Sequence, residues 1–246
     1  MTRGFAKRFA AVVIGVCAAL GATVTPAAAS DVQPFIVGGD TVREKLPWIG
    51  ALHRGGSFTC TSTAIAPRWV LTAAHCVEGS GTYSVRLGTL TRSSGGTLAT
   101  AKRIIKHPSY NWPDNDIALI EIDRDAPGTI TLATSSDISV GQASTLYGWG
   151  SVKPDWSGPL PENLKYATGK ITSVNCTFGN PNPPTVCFSG DGSVAGGDSG
   201  GPAVVGGGSR PFIQYGVCAV GSKPSKENGY TNVTRYRPWI KQYAGV

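Results

Sequence analysis

The chain has 246 residues, with 22 Lys and Arg against 15 Asp and Glu, a net charge of +7, and it carries 33 Gly and 17 Pro. The basic excess forms no Lys/Arg cluster, so nucleic-acid binding is not expected. The abundance of turn formers, without repeats, heptads or a long helical period, excludes a coiled coil or solenoid and points to a turn-rich globule.

The first element is not part of the fold. Arg3, Lys7 and Arg8 precede an apolar run from Phe9 to about Val24, and the small residues of "TPAAAS" follow. Such a run is short for a bilayer span and ends where cleavage after Ala29 is expected, so residues 1–29 read as a secretory signal peptide, with no membrane association once it is removed. Without residues 1–35 the chain loses three basic groups and Asp31, leaving a net charge of +5. Beyond Cys17 remain Cys60, Cys76, Cys176, Cys187 and Cys218. An oxidising compartment favours two bridges and one leftover thiol, with the pairing open. The C-x2-C spacing of a structural zinc site is absent, so no metal is expected there.

From Trp48 onward, short β-branched or aromatic runs alternate with Gly, Pro, Ser and Asn: "WIGALH", "FTCTSTAIA", "RWVLTA", "YSVRLG", "TLATAKRIIKH", "DIALIEI", "ASTLYGWG", "LKYATGKI", "FIQYGVCAV" and "YTNVTRY". The spacing predicts an all-β barrel or sandwich. Only the C-terminus reads as helical: Pro238 suits a first turn, and Trp239, Ile240 and Tyr243 share one face expected to pack on the barrel.

Within this β pattern, "VAGGDSGGPAV" holds Ser199 among glycines, and Gly197 to Gly201 also satisfies G-x-S-x-G. A nucleophile elbow of the α/β-hydrolase kind needs its histidine after the serine. His53, His75 and His107 all precede Ser199, so that reading fails and the order His, Asp, Ser remains. "WVLTAAHC" supplies His75, and "NDIALI" places Asp116 at the head of an apolar strand, where a carboxylate can fix the tautomer of an imidazole and stabilise it when protonated.

In this order, "IVGGD", "WVLTAAHC", "NDIALI", "GWG", "GDSGGP" and the terminal "WIKQY" resemble a secreted serine endopeptidase of the chymotrypsin/trypsin family, of the bacterial type with a short propeptide. The resemblance covers the whole mature chain and implies an all-β fold of two six-stranded antiparallel β-barrels, with the active site between them and a C-terminal helix. It implies Ser199 as nucleophile, His75 as base, Asp116 as the residue that orients the base, and the N–H groups of Gly197 and Ser199 as the oxyanion hole. Residues 30–35 would be an activation propeptide and residues 36–246 the protease domain. Cleavage after Phe35 would free the Ile36 amine to pair with Asp198, and Pro34-Phe35 is a pair that an apolar-selective pocket accepts, consistent with self-activation.

The resemblance puts Ser193 at the floor of the specificity pocket, Val220 in its wall and Gly221 where a substrate strand pairs with the backbone. A neutral floor implies an aromatic or large apolar residue at P1, the substrate position before the scissile bond. Asp191, two residues away, is the candidate for an alternative preference for Arg or Lys. Bridges Cys60–Cys76 and Cys176–Cys187 are expected, with Cys218 a buried free thiol. Ala195 stands where the family has a half-cystine, and Ala219 where a serine usually bonds the catalytic aspartate. "TLTRSSGG" lacks the paired acids of a calcium loop, so neither metal nor cofactor is expected. His53 and His107 are given no catalytic role. The implied partners are polypeptide substrates and protein protease inhibitors, acting on a secreted monomer. The alternative is a catalytically silent binding protein on the same scaffold.

Overall fold

The computed structural model describes residues 1–2, 36–37, 39–153, 155–177, 185–221 and 227–246; the expected signal peptide beyond residue 2 and the expected propeptide, with Phe35, lie outside the described residues. A short β1 (Asp40–Thr41) precedes the first barrel, whose strands are β2 (Ile49–Arg54), β3 (Ser57–Ala66), β4 (Trp69–Thr72), β5 (Tyr83–Leu87), β6 (Thr97–Lys106) and β7 (Ala118–Ile122). They close in the order β2-β3-β4-β7-β6-β5, every pair antiparallel. β5 shows why: Tyr83, Val85 and Leu87 are buried while Ser84 and Arg86 between them are half-buried, the period-two pattern of a strand with one face inward.

After β8 (Thr131–Leu132), the second barrel is built from β9 (Ala143–Gly148), β10 (Lys165–Cys176), β11 (Thr185–Gly190), β12 (Pro202–Gly207), β13 (Arg210–Gly221) and β14 (Glu227–Asn232). Pairing runs β9-β10-β11-β14-β13-β12 and returns from β12 to β9, which closes the ring. β1 attaches to β10 and β8 runs parallel to β13. Closure removes the exposed edges an open sheet would leave. Leu146, Ile171, Val186, Phe188, Val205, Tyr215 and Tyr230 are buried together inside the second barrel.

β11 and β12 are absent from the strands read out of the sequence. Pro202 to Val205 are all buried, so β12 is covered on both faces and shows no alternation to read. The run "YTNVTRY" also proves shorter as a strand: β14 stops at Asn232, whose side-chain oxygen accepts from the Thr234 N–H at 3.1 Å and turns the chain into a 3-10 turn.

Helix α1 (Arg237–Ala244) has Pro238 in its first turn and ends at Gly245 in the left-handed region, φ 77°. Its buried Ile240 joins the core of the first barrel. His107, at the end of β6, meets Tyr236 and Trp239 edge-on at 5.1 and 5.2 Å, a packing role that docks the helix.

Candidate active site

His75 sits where the chain leaves β4, on a 3-10 turn from His75 to Val77. The bridge from Cys60 on β3 to Cys76 ties this turn to the barrel. Asp116, just before β7, has its side chain fully buried. Its Oδ1 accepts the His75 backbone N–H at 2.9 Å, and its Oδ2 meets His75 Nδ1 at 2.6 Å. A carboxylate in this position holds a proton on Nδ1 and leaves Nε2 as the basic nitrogen. Thr231 on β14 donates its hydroxyl to the Asp116 carbonyl at 3.0 Å, so the second barrel helps hold a residue of the first.

The Ser199 loop is clamped from the first barrel. Thr61 on β3 donates its N–H to the Ser199 carbonyl and its hydroxyl to the Gly197 carbonyl, both at 2.9 Å. Gly200 N–H bonds the Cys218 carbonyl at 2.8 Å, and Cys218 N–H bonds Gly201 at 2.8 Å. Neither the Gly197 nor the Ser199 N–H has an acceptor among the described residues, which leaves both able to bind a developing oxyanion. Gly197 has φ +106°, and a Cβ there would lie 3.1 Å from Leu160 Cδ2 and 3.1 Å from the Trp149 carbonyl oxygen. Glycine is therefore required at 197 by the backbone itself, in addition to the substrate approach expected from the sequence.

"GWG" finds its reason in Asp198. A Cβ on Gly148 would fall 2.1 Å from Asp198 Oδ1, and one on Gly150 2.1 Å from Oδ2. The carboxylate is thus seated between two glycines, where Gly150 N–H and Ala195 N–H donate to it at 2.7 and 2.9 Å. Burial pushes its pKa up to about 7 despite those two donors. Ile36 is itself buried, and Val37 bridges to Ser193.

His75 and Ser199 line one cavity of about 530 Å3. Val194 to Gly196, Cys218 to Val220, and Trp112, Pro113 and Trp156 line it with them. Val220 lines the cavity that holds His75 and Ser199. Ser193 N–H is bonded to the Val37 carbonyl at 3.0 Å, and Gly221 continues β13. Asp191 is held away by Thr168, whose N–H and hydroxyl each bond its carboxylate at 2.7 Å.

Cys218 is a buried free thiol, and Cys176 is bonded to Cys187. Burial first, and then the charges of Asp198 and Asp116, push the Cys218 thiol well up, so it stays protonated and is no competing nucleophile. Cys60, His75 and Cys76 bring one ligand atom each within 4.8 Å, but the two sulfurs are bonded to each other and offer no thiolate to a metal.

Thr61, Thr231, Trp112 and Trp156 escaped the sequence reading. The two threonines belong to β-rich runs where threonine is ordinary, and the two tryptophans lie in loops with no period to flag them.

A trypsin family model matches residues 36–240. Trypsin alpha-4 of Lucilia cuprina is 29% identical over 251 residues, covering 95% of this chain and 96% of that protein. Trypsin delta of Drosophila melanogaster is 30% identical, covering 95% and 98%. Kallikrein-8 of Rattus norvegicus is 35% identical over 218 residues, covering 81% and 82%. Among solved structures, human heparin binding protein superposes with a TM-score of 0.73 at 24% identity, covering 85% of this chain and 96% of that one, a likeness of fold. With 205 consecutive positions matched and both barrels closed, the chain belongs to the trypsin family of chymotrypsin-like serine endopeptidases.

Proposed function

We propose that this chain is a secreted, monomeric endopeptidase that cleaves polypeptides after aromatic or large apolar residues, through an acyl-enzyme on Ser199. The observation that carries the reading is the double contact of Asp116 with His75, at 2.6 and 2.9 Å, beside the cavity that His75 shares with Ser199. Ser199 Oγ attacks the scissile carbonyl carbon while its proton passes to His75 Nε2. The tetrahedral oxyanion is held by the Gly197 and Ser199 N–H groups. Collapse breaks the C–N bond as His75 returns the proton to the departing amine, and water repeats the sequence to release the acyl group. Asp116 keeps the ring in one tautomer throughout, a task it performs without the donor that Ala219 lacks.

Apolar specificity follows from the walls. Among the described residues no carboxylate lines the cavity. A buried Arg or Lys side chain would find no counter-charge there. The test is hydrolysis of Ala-Pro-X peptides, with X as Phe, Leu, Ala, Arg or Glu, by protein beginning at Ile36. Phe or Leu is expected to exceed Arg at least about tenfold in kcat/KM, equivalent to roughly 1.4 kcal/mol. Arg as the fastest substrate would overturn apolar specificity and return attention to Asp191. Protein protease inhibitors are the expected macromolecular partners.

Activation by cleavage after Phe35 is supported by the buried, cation-seeking carboxylate of Asp198. In the uncut chain Ile36 nitrogen is an amide and carries no charge. Folding then raises the Asp198 pKa from its ordinary value to about 7. Between about pH 4 and 7 the folded state binds more protons than the unfolded one, so stability falls as pH rises through that window. A free Ile36 amine paired with Asp198 removes the loss. Urea midpoints of Ser199→Ala protein starting at Ser30 are expected to fall over this range, and those of the same variant starting at Ile36 to hold; parallel curves would remove the pairing.

A further inference from the structure

A second cavity, of about 510 Å3, opens on the first barrel and shares no lining residue with the one beside Ser199. Arg86 and Arg92 line it with His53 and the hydroxyl-bearing Ser57, Ser84 and Ser93, and among the described residues no carboxylate does. The walls are fixed by the sheet: His53 on β2 pairs with Ser84 on β5, and Ala51 with Arg86.

Both guanidiniums are held from behind. Arg86 donates to the Gly95 carbonyl at 2.7 Å, while its Nε is buried with no acceptor among the described residues. Arg92 donates Nε to the Pro161 carbonyl at 3.0 Å and lies over the Phe58 ring, 5.5 Å from its centroid. Glu162 is the carboxylate beside Arg92, 3.7 Å from its Nε. It already accepts the Ser93 N–H at 3.0 Å and the Ser93 hydroxyl. Burial, with the two guanidiniums adding to it, holds the His53 imidazole below its usual pKa, so the positive charge of the cavity at neutral pH comes from the arginines. Two like charges share a rigid pocket with incomplete compensation, beside hydroxyl donors.

We propose that this cavity is a binding site for a tetrahedral oxyanion, a sulfate or phosphate group, taken between Arg86 and Arg92 with the Ser57 and Ser84 hydroxyls donating to its remaining oxygens. Forked guanidinium donors match such an anion in both charge and geometry. Phe58 and the half-exposed Leu98 make one edge apolar, so the group fits either as the free ion or as an ester.

Calorimetric titration of the mature chain with sodium sulfate, sodium phosphate and phenyl phosphate, at constant ionic strength set with chloride, tests the site. Saturable one-to-one binding is expected, weakened at least about tenfold by Arg86→Gln. Arg86→Lys keeps the charge but loses the fork and is expected to fall between. Peptide hydrolysis by both variants should match the wild type, which shows that they are folded. Tighter binding of phenyl phosphate than of the inorganic ions identifies the ester as the ligand form; equal binding identifies the free ion. No saturable binding by wild type, or equal affinity in the folded Arg86→Gln variant, would overturn the proposal.

Discussion

Ser199→Ala is expected to lower kcat by on the order of 10^6-fold, the scale known for loss of the nucleophile from a Ser-His-Asp constellation, while KM changes little. The asymmetry follows from where the side chain sits. In the proposed reading substrate is held by the cavity that Val194 to Gly196 and Cys218 to Val220 line, none of which the substitution alters. Thr61 bonds the backbone carbonyls of Ser199 and Gly197, so the loop keeps its shape without the hydroxyl. The residual rate belongs to the two free N–H groups and to binding. Steady-state kinetics on a Phe-containing peptide checks it. A loss confined to KM would mean that Ser199 binds substrate without attacking it.

Asp116→Asn is expected to cost about 10^4-fold in kcat, again the scale established for this substitution in the same constellation. Here the geometry gives the reason. Oδ1 already accepts the His75 backbone N–H, so an asparagine keeps its carbonyl oxygen there and turns its NH2 toward His75 Nδ1. That nitrogen must then accept, which moves the ring proton to Nε2, where Ser199 needs a base. Stability should change far less than rate, because shape and both contacts survive. The check is kcat measured beside the urea midpoint. A proportional loss of both would mean that Asp116 serves folding and not the tautomer.

Much of this site was legible because its chemistry is local in sequence. "GDSGGP" and "AAHC" carry their own backbone requirements, and Asp116 stands out as a carboxylate at the head of an apolar strand. Gly148 and Gly150 were legible as a motif, but their reason was not: the carboxylate they flank lies 48 residues beyond Gly150. The clamps Thr61–Ser199 and Thr231–Asp116 join residues 138 and 115 positions apart, and nothing in the local pattern distinguishes those threonines from other strand formers.

The fold shows the same division. β5 announces itself by strict alternation, whereas β12 is buried on both faces and β11 sits in the closed ring between β10 and β14. Counting residues from Ser199 pointed to Ser193 as the pocket floor. The backbone of Ser193 is bridged to Val37, and its neighbour Val194 and two tryptophans from loops distant in sequence line the cavity beside Ser199. Asp191, equally visible in sequence as a rival, is claimed by Thr168.

The central claim is that Ser199 is a nucleophile activated by His75. Its most direct test is covalent labelling by a phosphonofluoridate, followed by mass spectrometry of the peptide that contains Ser199. One equivalent of adduct on Ser199 is expected at neutral pH, absent from Ser199→Ala and strongly slowed in His75→Ala. No adduct on Ser199 in correctly folded protein beginning at Ile36, or labelling that is indifferent to His75, would contradict the claim and leave the binding-protein reading in its place.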